Sequence, residues 1–267
     1  MTLTEKIATT IGRNARLVLS VNEDKEKIVV YGAVSLLQIL WTILWTIVIS
    51  MIFGVVYESL FFTIVVSALK KYSGGAHASS PGRCVFIGVT ISTVFGLIIN
   101  ILLSKQNIIV VAILGLLCNS IALFIIMKLS PVDSVKKPIT SVKMRLRLKR
   151  NSEILIFFYL FIMVNMLLLF KISSNLCFLK AFECISLGTL WQSITLTNRG
   201  INILNKVDFI LNFKNIKGGN NMKTKIGKLL LGITVSACTL MAISISASAC
   251  LFGFYQPEEP KCLRKED

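Results

Sequence analysis

Long runs of apolar residues constrain this chain more than any other feature of its sequence. The first run extends from Tyr31 to Leu69 and is interrupted only by Glu58 and a few Ser, Thr and Gln residues. A membrane-spanning helix needs about 20 mostly apolar residues, so this run is too long for one span and about right for two. A tight turn near Phe53–Gly54 or at Glu58 would make it a helical hairpin.

Further apolar runs complete a predicted set of six spans. They cover about Cys84–Leu103, Ile108–Met127, Ile154–Phe170 and Leu176–Leu196. The composition agrees, because 54% of the 267 residues are hydrophobic and only 16% are charged. These values exclude a disordered chain, a secreted disulfide scaffold and a nucleic-acid-binding domain. The sequence therefore predicts an all-α integral membrane protein.

The distribution of basic residues predicts the orientation of the spans. The net charge is +16. Lys and Arg are concentrated in segments 70–83 and 128–151, whereas the turn at 104–107 contains a single lysine. Since cytoplasmic loops are enriched in Lys and Arg, both termini of the six-span domain are predicted to face the cytoplasm at the cell membrane. Residues 1–27 mix basic and apolar side chains and are predicted to form an amphipathic helix on the inner membrane surface.

The C-terminal part of the chain differs in composition from the spans. We predict a membrane domain over 1–215, a flexible linker over 216–221 and a separate precursor-like peptide over 222–267. The peptide begins with a methionine and three lysines, continues into one apolar helix and ends in a polar, acidic segment. Residues 247–250, Ala-Ser-Ala-Cys, also resemble a signal-peptide cleavage site close to a lipoprotein box, so a lipoprotein-like tail stays open as an alternative.

The glycine-rich loop before the third predicted span contains the residues with the clearest chemistry. His77, the only histidine of the chain, lies seven residues before Cys84. Cysteine-based hydrolysis needs a thiolate and a base within reach of it. Pro81 and Gly82 argue against one continuous helix, and a loop that folds back can bring the imidazole to the sulfur. Cys84 also falls at the start of a predicted helix, whose dipole favours a thiolate.

Structural interpretations of the same residues stay open. A cysteine at the head of a membrane helix also serves as a small apolar packing residue. Gly74 and Gly75 also fit a tight turn. Lys70 and Lys71 would attract acidic substrate groups, but they also fit cytoplasmic anchors of a span. Three other cysteines are predicted to be packing residues: Cys118, Cys177 and Cys184. Because no cysteines are closely paired, neither a metal site nor a cofactor is predicted.

The segment Gly74-Gly75-Ala76-His77-Ala78-Ser79 followed by Cys84, among six predicted spans, resembles the accessory gene regulator B (AgrB) peptidases of Gram-positive quorum sensing. The resemblance covers about residues 1–215. It implies a membrane-embedded cysteine endopeptidase that works at the cytoplasmic face, with Cys84 as nucleophile and His77 as general base. Gly75 and Lys70 lie where the family has functionally sensitive loop residues. The resemblance also implies a homodimer, and it implies neither a cofactor nor a nucleic-acid partner.

The tail resembles the partner of that family, the AgrD propeptide. This resemblance divides it into a leader helix 222–249, a signal core 250–254 and an acidic recognition tail 255–267. Its recognition residues would be Glu258, Glu259, Pro260 and Leu263.

The implied reaction joins the two parts of the chain. Cys84 would attack the carbonyl of Phe254 and release the tail that begins at Tyr255. The thiol of Cys250 would then close a five-residue thiolactone. Closure at Tyr255, which gives a ring of six residues, stays open.

A non-enzymatic alternative is a transporter or channel with a fused lipoprotein-like tail. Such a protein is expected to carry charges or broken helices within its spans. The predicted spans contain almost no charged residues apart from Glu58 and Glu183, which we expect near span ends.

Overall fold

The computed structural model describes residues 3–19, 22–76, 78–101, 107–133, 139 and 141–211. This part of the chain forms eight α-helices and no named strand. In chain order they are α1 (Leu3–Leu19), α2 (Glu23–Ile52), α3 (Val56–Ser73), α4 (Pro81–Ile101), α5 (Ile108–Leu129), α6 (Val142–Ser173), α7 (Leu176–Ile194) and α8 (Asn198–Ile210). The predicted all-α class is confirmed. His77, the linker 216–221 and the predicted propeptide 222–267 lie outside the described residues.

Four of the described helices are long and apolar enough to cross a membrane. They are Glu23–Ile52, Gly82–Ile101, Ile108–Leu129 and Val142–Ser173. The helices α3 and α7, of 18 and 19 residues, carry charged side chains and contact helices on several sides. A helix enclosed by protein does not need the apolar surface of a helix that faces lipid. The count of six spans therefore stays a prediction.

The turn inside the first apolar run lies at the first of the two predicted places. The helix α2 ends at Ile52, and α3 begins at Val56. Between them Gly54 has a φ of +67°, a conformation that glycine adopts readily because it has no Cβ. Glu58 instead lies buried in the first turn of α3.

Two helices extend into segments that hydropathy does not mark. The helix α6 begins at Val142, so the basic segment before Ile154 is helical rather than a loop. The side chain of Ser141 caps this helix by accepting the N–H of Met144. Similarly, α8 forms in a polar, basic stretch and is capped by Thr197. The first turns of these two helices depend on capping residues and on tertiary packing, which hydropathy does not detect.

The predicted N-terminal helix is present as α1, and it packs along α2. A Cβ at Gly12 would lie 2.3 Å from Val30 Cγ2, so the two helices approach closely at this glycine. Arg16 of α1 also pairs with Glu26 of α2 at 3.1 Å. The location of α1 on the membrane surface stays a prediction.

The main apolar core lies between α3, α5, α6 and α7. Phe182 of α7 is fully buried and packs so closely on α5 that a Cβ at Gly115 would lie 2.3 Å from its ring. Tyr159 of α6 donates its hydroxyl hydrogen to the carbonyl of Val65 in α3 at 3.1 Å. These contacts fix α7 and α3 at the centre of the bundle, where both helices help to position the candidate site.

A polar cluster joins three helices at the end of the bundle where α3 begins. Lys180 of α7 donates to Glu58 Oε1 at 2.6 Å and to Asn100 Oδ1 of α4 at 2.9 Å. Glu183 is buried well inside α7, and neither of its carboxylate oxygens has a hydrogen-bond partner among the described residues. The expectation that Glu183 lies near the end of a span is therefore wrong, because α7 is enclosed by other helices and tolerates polar groups in its interior.

Removing the cation of this cluster should destabilise the folded protein. Lys180→Met would leave the buried Glu58 carboxylate without its cation, and a buried pair broken on one side costs about 3–5 kcal/mol. We expect a clear fall in the thermal unfolding midpoint of the detergent-solubilised chain. The double variant Glu58→Gln/Lys180→Met should recover much of this loss. The exposed Lys171 supplies the control variant Lys171→Met, and equal midpoints for it and Lys180→Met would contradict the prediction.

Candidate active site

Cys84 lies close to the start of α4, as the sequence predicts, and its exposed fraction is 0%. Pro81 opens the helix, a position that suits proline because the first N–H groups of a helix have no partner within it. The backbone N–H of Cys84 donates to the carbonyl of Ser80 at 3.1 Å. The sulfur is therefore held by the first turn of a helix, at the end whose dipole favours negative charge.

Gln38 of α2 contacts the sulfur directly. Its side-chain amide donates to Cys84 Sγ at 3.2 Å, and Gln38 is itself fully buried. Sequence reasoning missed this residue. The available signal was a buried polar series on α2 at a spacing of four residues: Gln38, Thr42, Thr46 and Ser50. Within an apolar helix such a stripe has to face protein rather than lipid.

The loop between α3 and α4 begins with two glycines that the backbone requires. Gly74 has a φ of +72°, and a Cβ there would lie 2.2 Å from the carbonyl oxygen of Val132. Gly75 has a φ of +123°, and a Cβ there would lie 3.2 Å from Thr195 Oγ1. Side chains larger than hydrogen are strained in these conformations and also lack space. Both glycines therefore let the loop pass close to neighbouring backbone and side chains.

Buried polar side chains hold the carbonyl groups of this loop. Lys70 has an exposed fraction of 2%, and its Nζ donates to the carbonyl of Ala76 at 2.8 Å. Gln192 of α7 donates to the carbonyl of Gly74 at 2.9 Å. The expectation of Lys70 as a surface anchor or a surface ligand for acidic groups is therefore wrong, since the loop covers its ammonium group. Lys71 is exposed and lies over the Tyr72 ring.

Asp208 of α8 links two residues of the segment that leads to Cys84. Its Oδ2 accepts hydrogen bonds from the backbone N–H of Ser79, from the Ser79 hydroxyl and from Arg83. Arg83 also donates to the backbone carbonyl of Asp208 at 2.9 Å. Hydrogen bonds between charged groups are roughly twice as strong as neutral ones. Sequence reasoning missed Asp208, because the polar stretch that contains it gave no sign of a helix packed on the loop.

One buried apolar cluster joins the loop, α4 and α8. Its members are Ala76, Ala78, Cys84, Ile87 and Leu204. Ala76 and Ala78 are the sequence neighbours of His77, so the residues before and after position 77 belong to the same cluster as Cys84. His77 lies outside the described residues, and its pairing with Cys84 stays a prediction.

The other cysteines differ in their environments. Cys184 is buried and Cys118 is half-buried, in line with packing roles, whereas Cys177 is exposed and does not pack in the core. Within the described ranges, no group of three or more His, Cys, Asp or Glu side chains is arranged to hold a metal ion.

Loss of the Asp208 carboxylate should expose the candidate nucleophile. Asp208→Ala removes hydrogen bonds to a charged group, each worth about 1.5–3 kcal/mol, so the loop should open more often. We expect Cys84 to react with iodoacetamide about tenfold faster or more, measured by mass spectrometry of the peptide that contains Cys84. The matched control is Glu26→Ala, which removes the ion pair between α2 and Arg16 of α1. Equal alkylation rates in the two variants would show that Asp208 does not hold the loop closed.

Comparison with known proteins identifies the family. The model of the family "Accessory gene regulator B" matches residues 4–196. A putative AgrB-like protein of Clostridium perfringens strain SM101 is 30% identical over 209 residues, which cover 78% of this chain and 98% of the relative. Putative AgrB-like protein 2 of strain 13 is 31% identical over 209 residues, with the same coverage. No solved structure matches the chain. The chain therefore belongs to the accessory gene regulator B family and has a role in that quorum-sensing system.

Proposed function

We propose that this chain is a membrane-embedded cysteine endopeptidase that cleaves the tail of an AgrD-type propeptide and closes the signal core into a thiolactone. Membership of the accessory gene regulator B family supports peptide processing in quorum sensing. The observation that carries the proposal is the cluster around Cys84, which contains the residues on both sides of His77 in the sequence. A thiol and the chain's single imidazole would then share one buried site.

The surroundings of Cys84 favour a reactive sulfur. It lies at the positive end of α4 and accepts an N–H from Gln38 at 3.2 Å. The ammonium group of Lys70 is buried against the carbonyl of Ala76, next to position 77 in the sequence. Positive charge and donors in a water-poor site stabilise an anion far more than they do at a surface.

The proposed reaction has two acyl-transfer steps. His77 takes the proton of the Cys84 thiol, and the sulfur attacks the carbonyl carbon of Phe254. The peptide bond to Tyr255 breaks, and the departing nitrogen takes the proton from His77. The thiol of Cys250 then gives its proton to His77, and its sulfur attacks the new thioester. The ring closes, and the Cys84 thiolate is released.

Burial of Cys84 favours ring closure over hydrolysis of the acyl-enzyme. An acyl-enzyme exposed to water would hydrolyse, whereas a site closed by an apolar cluster protects the thioester until Cys250 reacts. Exchange of one thioester for another is nearly isoenergetic, so cysteine fits both steps. Access to the buried sulfur requires movement of the segment that covers it, and Asp208 is the residue that ties this segment to α8.

Residues 222–267 are the proposed substrate, held at the membrane by the leader helix and recognised through Glu258, Glu259, Pro260 and Leu263. Lys70 and Arg83 are engaged by the loop and by Asp208. Exposed cations on the first turns of α6, such as Lys143 and Arg147, together with Lys71, therefore fit the acidic tail better. Exposed charge pairs mainly orient a partner and speed its encounter. We place this site at the cytoplasmic face of a homodimer in the cell membrane.

One observation favours the second candidate, a transporter. Glu58, Lys180 and Glu183 are ionisable residues inside α3 and α7, and Glu183 lies further from a helix end than the sequence led us to expect. Glu58 and Lys180 pair at the end of the bundle where α3 begins, whereas the loop to Cys84 follows the other end of α3. Acylation of Cys250 without cleavage of the tail would support a transporter with a lipoprotein-like segment instead of a peptidase.

Replacement of Cys84 tests the proposed nucleophile. Cys84→Ala should abolish release of peptide from the full chain in membranes, because the proposed acyl-enzyme forms on the sulfur of Cys84. Cys184 is a second fully buried cysteine and lies outside the site, so Cys184→Ala is the matched control. This variant should release peptide as the unsubstituted chain does. Peptide release is measured by mass spectrometry, and processed peptide from the Cys84→Ala variant would refute the mechanism.

Replacement of Cys250 tests the second step. Cys250→Ser should still be cut to some extent but should yield no thiolactone, since a hydroxyl is a poorer nucleophile than a thiolate. In the unsubstituted chain the released peptide should weigh one water less than its linear sequence, and its mass tells whether Phe254 or Tyr255 closes the ring. A released peptide with the full linear mass would show that the enzyme hydrolyses without cyclising.

A further inference from the structure

We infer that Gln38 is a further catalytic residue, whose side-chain amide donates a hydrogen bond to the negative charge that develops at Cys84 and then at the attacked carbonyl. The inference rests on the proposed function, since it assigns a role within that reaction. Gln38 lies on α2, 46 residues before Cys84, and its Nε2 is 3.2 Å from the sulfur. Family resemblance pointed to the loop residues and did not single out this helix.

The strength of the contact depends on the charge of the sulfur. Gln38 is fully buried in a helix that is otherwise apolar enough to cross a membrane. A neutral thiol is only a weak hydrogen-bond acceptor. The hydrogen bond from Gln38 becomes much stronger when the sulfur is an anion, because hydrogen bonds to charged groups are stronger than neutral ones.

The direction of the contact fits what the reaction needs. Complete burial disfavours a thiolate unless donors replace the water it loses. Gln38 supplies such a donor from α2, on a different element from the helix turn that carries Cys84. After attack, the carbonyl oxygen becomes an anion on the carbon bonded to this sulfur, and we expect the same amide to donate to it. A preorganised donor at this point acts on the charge of the transition state.

The same stripe on α2 offers a matched control. Thr42 lies one turn after Gln38 and is also buried, and its hydroxyl has no hydrogen-bond partner in the part of the chain that the structure describes. Thr42→Val therefore changes a buried polar group of the same helix face without touching the contact to Cys84. Gln38→Met keeps the length of the side chain and removes only its donor and acceptor.

The test compares Gln38→Met, Thr42→Val and the unsubstituted full chain in membranes. Removal of an oxyanion donor typically lowers a rate about 10²- to 10³-fold, and we expect a loss of this size in peptide release for Gln38→Met. Alkylation of Cys84 by iodoacetamide should be about tenfold slower near neutral pH, and the difference from the unsubstituted chain should become smaller as the pH rises, because ionisation of the thiol then depends less on the donor. Thr42→Val should match the unsubstituted chain in both measurements.

Each other outcome has a defined meaning. Unchanged release and an unchanged pH profile of alkylation in Gln38→Met would overturn the inference. Faster alkylation at every pH would also overturn it, because it would show that Gln38 only packs the site closed. Peptide release by Cys84→Ala would instead overturn the proposed function itself, whatever the Gln38 variants do.

Discussion

Satisfying buried polar groups is the constraint on which this structure depends. An unpaired N–H or C=O group costs free energy in an apolar environment, and a bilayer offers no water to replace a missing partner. The loop between α3 and α4 is non-helical and largely buried, so protein groups have to receive its carbonyls. Lys70 donates a hydrogen bond to the carbonyl of Ala76, and Gln192 donates one to the carbonyl of Gly74. Lys70 of α3 and Gln192 of α7 therefore satisfy the buried carbonyls of this loop.

The same hydrogen bonds create a site with suitable chemistry. The loop is held by α3 and α7 from one side and by Asp208 of α8 from another, and Gln38 of α2 reaches the sulfur. A cysteine fixed in this way is removed from water and faces donors whose positions are already set. Such preorganisation is what an acyl-transfer site needs, because its groups do not have to reorient during the reaction.

Apolar patterning predicts those parts of the fold that face lipid. The predicted span Ile108–Met127 matches α5 at Ile108–Leu129, since the exposed surface of that helix has to be apolar along its whole length. Apolar patterning does not predict α8, because the formation of this helix depends on the Thr197 cap and on packing against the loop. Within the site, residue chemistry singles out Cys84. It does not single out Asp208, which is 129 residues from its partner Ser79, because only the tertiary fold decides which polar groups meet.

The neighbouring residues Lys70 and Lys71 also show what the sequence does not predict. Lys70 and Lys71 look alike in the sequence, yet consecutive residues of a helix point in different directions, and only Lys70 turns into the protein.

The helix α7 links the two ends of the bundle. Near its start Lys180 pairs with Glu58, and near its end Gln192 donates to the carbonyl of Gly74. These residues lie about 18 Å apart along one helix. A shift of α7 along α3 would break both contacts at once. The Lys180–Glu58 ion pair therefore also helps to keep Gln192 in position to hold the loop that leads to Cys84.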